Sequence, residues 1–296
     1  GSTCAFLAEL LGEQGLRVGV YSSPHLLRYN ERVQLNGVEA TDEQLCEAFA
    51  ALDAGRGDIS LTYFEMGTLA AFWLFERAQL DVVVLEVGLG GRLDATNIVD
   101  ANVAVVTSIA LDHTDWLGDS IEKIAFEKAG IIRPEIPVVF GGQQDLPQAI
   151  QDKADECRAQ LHAVNRDYFY QPAEDGQSWM FASAGTTLKL PAGSLALENI
   201  STAAAAVLLS GLTVSQQAVA QGAAQAQHRR PAQGAVGELA LHLALAGAEI
   251  HVMEARLAEH PADRLQVQHG ARRPRAEVVA LGRAQVVQHL AHRREE

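Results

Sequence analysis

Leu85-Glu86-Val87-Gly88-Leu89-Gly90-Gly91-Arg92-Leu93-Asp94-Ala95-Thr96-Asn97 follows directly on Asp81-Val82-Val83-Val84. The β-branched run has the length and composition of a strand buried on both faces, as in a parallel sheet. It ends in a carboxylate and passes straight into a glycine-rich loop. In open α/β sheets, ligands bind beyond the carboxyl ends of the strands. Glu86 is therefore carried to the chemical edge of the sheet, beside a backbone that glycine lets approach a ligand closely. A tight turn closed by a capping acid is the plain alternative, and one glycine cluster does not separate the two.

The same pattern recurs on either side. Arg17-Val18-Gly19-Val20-Tyr21-Ser22 reads as a strand that ends in the loop Ser22-Ser23-Pro24-His25-Leu26. Val103 to Ile109 reads as another, ending in Ala110-Leu111-Asp112-His113-Thr114-Asp115, and Pro137 to Phe140 as a further one. Helices are predicted from Thr41 and Asp42 to about Asp53, from Met66 to Gln79 after Thr62-Tyr63-Phe64-Glu65, from about Ser120 through Lys128, and from Leu146 to Leu161. Phe72, Trp73 and Phe75 are assigned to core packing. Glu31 to Gly37 reads as a short strand and turn. Short β segments are predicted near Tyr168–Tyr170, Trp179–Phe181 and Thr187–Leu190, before an alanine-rich helix opened by Glu198-Asn199-Ile200-Ser201-Thr202. Alternating strands and helices predict an α/β fold with a doubly wound, mostly parallel sheet.

The chain starts at Gly1-Ser2-Thr3-Cys4-Ala5-Phe6-Leu7, a glycine and two hydroxyls opening an apolar helix through about Leu11. The end of a phosphate-binding loop has this form, with N–H groups and a hydroxyl turned toward phosphate. An ordinary N-cap has it too.

Composition narrows the classes. At 296 residues and 48% hydrophobic, the chain suits two domains or one large one. No apolar run reaches membrane-spanning length and nothing resembles a signal peptide, so no membrane partner is expected. The three cysteines lack metal or disulfide spacing, which suggests a reduced, cytoplasmic setting. The net charge of −14 argues against a nucleic-acid partner. A bound nucleotide would have to be met locally, by metal, helix N-termini and a few cations.

Six motifs stand in order: Ser-Pro-His-Leu, Glu-Arg-Val, Tyr-Phe-Glu, the glycine-rich stretch through Asn97, Leu-Asp-His-Thr-Asp-Trp-Leu-Gly, and Glu-Lys-Ala-Gly-Ile. Together they resemble the bifunctional dihydrofolate synthase/folylpolyglutamate synthases of the Mur ligase superfamily, over residues 1 to about 226. The resemblance implies a P-loop ATP-binding domain followed by a smaller α/β domain that binds glutamate. It implies ATP-dependent ligation of L-glutamate to dihydropteroate and to folate γ-carboxylates through an acyl phosphate. It also implies one or two Mg²⁺ ions, with Ser23, Glu86 and His113 holding one. Lys128 would carry a CO₂-derived carbamate and act with His113 at the catalytic centre, bridging to a second ion. Such a carbamate needs a neutral amine, hence a partly desolvated lysine; from the residues alone, Lys128 suits a solvated helix C-terminus. Thr62, Tyr63, Phe64, Glu65, Leu93, Asp94 and Ala95 would line the pteridine side. Gly1, Ser2 and Asn199 would face the nucleotide, although Asn199 equally suits a helix N-cap. The implied partners are small molecules and the chain is expected to act as a monomer.

Two departures from that family stand out. Of its loop Gly-Thr-Asn-Gly-Lys-Gly-Ser/Thr, only Gly1 and Ser2 are present. After about residue 226 the Pro-Gly-Arg and Asp-x-Ala-His-Asn motifs are replaced by His228-Arg229-Arg230-Pro231-Ala232-Gln233. No Phe, Trp or Tyr follows Phe181, and seven of the ten histidines lie beyond residue 227. The charge changes from −16 over residues 1–227 to +2 beyond. Residues 1–226 are thus taken as a Mur ligase-like domain, and 227–296 as a remnant or frame-shifted replacement of the second. Some helix is expected there at Leu239–Leu245 and Val278–Leu281. A chain so altered is expected to be inactive. A Mur-type peptide ligase and a non-catalytic folate- or nucleotide-binding remnant remain alternatives.

Overall fold

The computed structural model describes residues 1–183, 185–192, 196–213, 215–226 and 240–245. Helix α1 (Ser2–Gly12) leads into strand β1 (Val18–Tyr21), and β2 (Val33–Leu35) and β3 (Val38–Glu39) return antiparallel beside it. Helices α2 (Asp42–Gly55) and α3 (Tyr63–Arg77) follow. Both begin in reciprocal capping boxes, Thr41 with Gln44 and Thr62 with Glu65. Each box satisfies N–H groups that a helix start otherwise leaves unpaired. Strand β4 (Val82–Glu86) then pairs parallel with β1, Val18 opposite Val82 and Tyr21 opposite Leu85.

Strand β5 (Val103–Val106) precedes the short helix α4 (Thr114–Leu117), helix α5 (Ile121–Ala129) and strand β6 (Pro137–Phe140). Helix α6 (Gln148–Cys157) is shorter than the sequence predicts. Arg158 turns left-handed, and Leu161 belongs to strand β7 (Gln160–Ala163), parallel to β6. Strands β8 (Tyr168–Pro172), β9 (Ser178–Ser183) and β10 (Thr186–Pro191) form a separate antiparallel sheet, and helices α7 (Leu197–Leu209) and α8 (Gln216–Ala226) follow.

Strand β11 (Ala240–Leu245) corrects the expectation of a helix at 239–245. It lies inside the main sheet, whose order is β3-β2-β1-β4-β11-β5-β6-β7. It runs antiparallel to both neighbours, Leu241 opposite Glu86 and Ala240 opposite Val106. The reason is backbone pairing. A gap between β4 and β5 would leave N–H and C=O groups of two buried strands without partners, and an extended segment satisfies both rows. The expectation at 278–281 lies outside the described residues.

Side-chain alternation divides the core. Val82 and Val84 join Cys4, Phe6 and Leu7 of α1 and the apolar face of α7. Val83 and Leu85 point the other way, to Leu69, Trp73 and Leu74 of α3. Ala104, Val106, Val138 and Phe140 pack on Ile124 of α5 and Ile150 of α6. Helices therefore cover both faces of a mostly parallel sheet, as the alternation of elements predicts.

Candidate active site

Strand parity aims Glu86. Residues 82 and 84 face α1, so residue 86 does too, one step past the last apolar pair. Glu86 is 1% exposed and its carboxylate lies at the start of α1. The Gly1 nitrogen donates to one oxygen. The Ser23 backbone N–H donates to the other at 3.3 Å, and the Cys4 thiol at 3.7 Å. Burial pushes the Cys4 thiol well above its ordinary pKa, and the Glu86 charge adds to the effect. Three sequence-distant segments thus meet on one carboxylate: the ends of β1 and β4 and the first turn of α1.

The glycine-rich loop is folded by Asp94. One of its oxygens accepts from the N–H groups of Gly88 and Leu89, at 3.0 and 3.1 Å. The other accepts from the Thr96 N–H and hydroxyl, at 2.9 and 2.7 Å. Burial raises the Asp94 pKa and the four donors oppose that rise. Asp94 and Ala95 are buried, and Leu93, 54% exposed, is the part of Leu93–Ala95 turned to solvent. Across the loop, a Cβ on Gly88 would stand 2.5 Å from the Phe64 ring, so a larger residue there requires that ring to move. Glu65 accepts from the Thr62 N–H and hydroxyl, and Tyr63 is left exposed. Among Thr62–Glu65, Phe64 and Tyr63 present the aromatic surface.

Lys128 lies in the last turn of α5 and is 4% exposed, which excludes the solvated helix-end lysine that the residues alone allow. Two glycines explain its depth. A Cβ on Gly91 would meet the Glu127 carbonyl oxygen at 2.9 Å, and one on Gly130 would meet the Arg92 Cα at 2.5 Å. The loop after Glu86 therefore lies backbone against backbone on the turn that carries Lys128. The Arg92 N–H donates to the Glu127 carbonyl at 2.8 Å.

Not every expected residue arrives at Glu86. His113 is the left-handed residue before α4, with an exposed side chain 3.7 Å from Asp112. Among the described residues no three His, Cys, Asp or Glu side chains gather as a metal cluster. Asn199 is not a helix cap. Ala196 holds that position, and the Asn199 side chain accepts from the Thr3 hydroxyl at 3.2 Å, joining α7 to the first turn of α1.

No protein-family model matches the chain. The dihydrofolate synthase/folylpolyglutamate synthase of Escherichia coli is 53% identical over 227 residues, which is 76% of this chain and 53% of that protein. Over that shared stretch the chain belongs to the dihydrofolate synthase/folylpolyglutamate synthase family. The Haemophilus influenzae relative of the same name is 48% identical over 73% of this chain and 49% of its own. This chain thus spans about half the length of the curated relatives it matches. Among solved structures, E. coli FolC in complex with DHPP and ADP gives a TM-score of 0.74 at 53% identity, covering 76% of this chain and 54% of that one. A dihydrofolate synthase/folylpolyglutamate synthase structure with Mn, AMPPNP and L-glutamate bound gives 0.71 at 51%, covering 75% and 54%.

Within this family fold, the sequence reading gave no role to Tyr29, nor to His25 and Arg32 of its own motifs. The Arg32 guanidinium carbon lies 5.6 Å from the ring centres of both Tyr29 and Tyr63, and its Nε donates to His25 Nδ1 at 2.8 Å. Glu31 gathers the segment by accepting from the N–H groups of Leu26, Leu27 and Arg28, which hold its carboxyl below the usual range. The signal available was Glu31-Arg32 itself. Two charges at the head of a presumed strand are better suited to a turn, and Tyr29–Arg32 is one turn of 3-10 helix.

Proposed function

We propose that this chain forms the ATP- and pteroate-binding part of an ATP-dependent ligase that joins L-glutamate to dihydropteroate and to folate γ-carboxylates. The observation that carries this is the buried Glu86 carboxylate, held at the carboxyl edge of the sheet against the Ser23 N–H and the first turn of α1. A carboxylate is a poor electrophile, and phosphorylation by ATP makes it an acyl phosphate that an amine can attack. The transfer itself is largely positioning and charge neutralisation.

Mg²⁺ takes hard oxygen ligands and keeps several waters. The Ser23 backbone N–H meets the Glu86 carboxylate, and that carboxylate, with the Ser23 hydroxyl, would supply oxygen ligands that suit the ion. When bound, it would neutralise charge on the transferring phosphate. His113 would join from the loop after β5, and Lys128, as a carbamate, would hold a second ion. The first turn of α1, with Gly1 and Ser2, presents N–H groups toward phosphate. Asn199, fixed by Thr3 beside that turn, would contact the nucleotide. Tyr63, Phe64 and Leu93 offer the apolar surface for the pterin, while Thr62, Glu65, Asp94 and Ala95 shape it. The proposed partners are small molecules and the chain a monomer. Three free cysteines support a reduced, cytoplasmic setting. No helix among the described residues is long and apolar enough to cross a membrane.

The test supplies the purified chain with ATP, Mg²⁺, dihydropteroate and L-glutamate, and follows ADP and dihydrofolate. Glutamate-dependent formation of both supports the ligase. Binding of nucleotide and pteroate without ADP release assigns the chain to a non-catalytic remnant. ADP release only with a muramyl acceptor assigns it to peptide ligation.

A further inference from the structure

One guanidinium outside the motifs ties down the turn that follows Lys128. Arg133 follows the end of α5 and donates in three directions. Its Nε pairs with the Asp100 carboxylate. One terminal nitrogen donates to the Asn97 carbonyl and side-chain oxygens, at 2.8 and 2.7 Å. The other donates to the Gly130 carbonyl at 3.1 Å, one of the carbonyls that the end of α5 leaves without a helical partner. Asn97, 2% exposed, completes the link: its amide nitrogen donates to the carbonyls of Arg92 and Gly130, at 3.1 and 3.0 Å.

The glycine-rich loop and the end of α5 thus share one hydrogen-bond frame. Gly91 and Gly130 bring the two backbones into direct contact, so directed hydrogen bonds help to set the register there. A guanidinium fits the task because its planar fork reaches acceptors in several fixed directions, whereas an ammonium is a point charge.

We infer that Arg133 is a positioning residue that holds Lys128 in place against the loop from Glu86. The inference deepens the proposed function, because Lys128 is the residue read there as a carbamate. The contacts of Arg133 are with protein groups, Asp100, Asn97 and Gly130. Its effect passes through Gly130 and Asn97.

The test compares the full chain with Arg133→Lys and Arg133→Gln. Acetic anhydride labels surface amines, and peptide mass spectrometry reads Lys128 against the exposed Lys123 in the same molecule. Lys128 should be protected in the parent. In either variant that still melts cooperatively, the Lys128-to-Lys123 labelling ratio should rise by about tenfold, as local opening of this turn would give. A merely structural role would lower the melting temperature and leave that ratio unchanged, and an unchanged ratio in a folded variant overturns the inference. Arg133→Lys keeps the charge and serves where Arg133→Gln does not fold. Mn²⁺ titration followed by electron paramagnetic resonance adds a second readout, with affinity falling by about tenfold, the scale set by partners of metal ligands. A parent chain that binds no Mn²⁺ counts against the proposed function, while the labelling ratio still decides the role of Arg133.

Discussion

Gly130 and Arg92 approach so closely that a Cβ on the glycine would stand 2.5 Å from the Arg92 Cα. That distance forces the backbone to shift before any larger residue fits. Gly130→Ala should destabilise the fold by about 1–3 kcal/mol, the usual effect of overpacking a tight contact. Gly12→Ala is the control. A Cβ there meets nothing within 4 Å and its φ is not positive, so urea unfolding should show a neutral or slightly stabilised protein. Equal behaviour of the two variants would remove the close contact from the account.

Glu86→Gln should preserve the fold and weaken Mn²⁺ binding by about a hundredfold or more, since it removes the carboxylate gathered with Ser23. The amide keeps the shape and can still accept from the Ser23 N–H. Near-parental Mn²⁺ affinity in a well-folded variant would show that the carboxylate is structural.

For Lys128, a crystal structure near neutral pH with nucleotide and metal should show extra density on its amine, beside a metal ion. Intact mass is a poor substitute, because carbamates are labile in acid. A ¹³C resonance gained from labelled bicarbonate and missing in Lys128→Ala gives an independent readout. An unmodified lysine in a metal- and nucleotide-loaded crystal would refute the assignment.

Strand β11 makes the fold depend on residues beyond the family resemblance. Leu243 pairs with Val84 on one side and Val103 on the other. Leu243→Pro removes an N–H from the middle of the sheet and leaves a buried acceptor without its partner, at a cost of about 1–3 kcal/mol. Thermal or urea unfolding measures it. A variant as stable as the parent would mean that the sheet closes without this strand.

The sequence by itself determined whatever depends on near neighbours. The run Val82–Leu85 reads as a strand and is buried at every position, whereas the helix expected over Met66–Gln79 runs Tyr63–Arg77, its start drawn back to Thr62 by the capping box with Glu65. The six ordered motifs pointed to the family that the comparisons show. Strand ends were legible because period-two burial and glycine punctuation are local signals. Tertiary structure decided the rest. The burial of Lys128 comes with backbone contact between segments 38 residues apart, Arg92 with Gly130, and the local sequence holds the glycine but not what it meets. Glu86 meets Gly1, Cys4 and Ser23 only because β4 pairs with β1 while α1 packs across both. Asp94 proved to be a loop clasp and Asn199 a partner of Thr3, since a side chain's hydrogen-bond partner depends on what the fold brings within about 3 Å. Ala240–Leu245 shows the same limit from the other side. Its short apolar alternation suits either a helix or a strand, and the unpaired edges of β4 and β5 made it a strand.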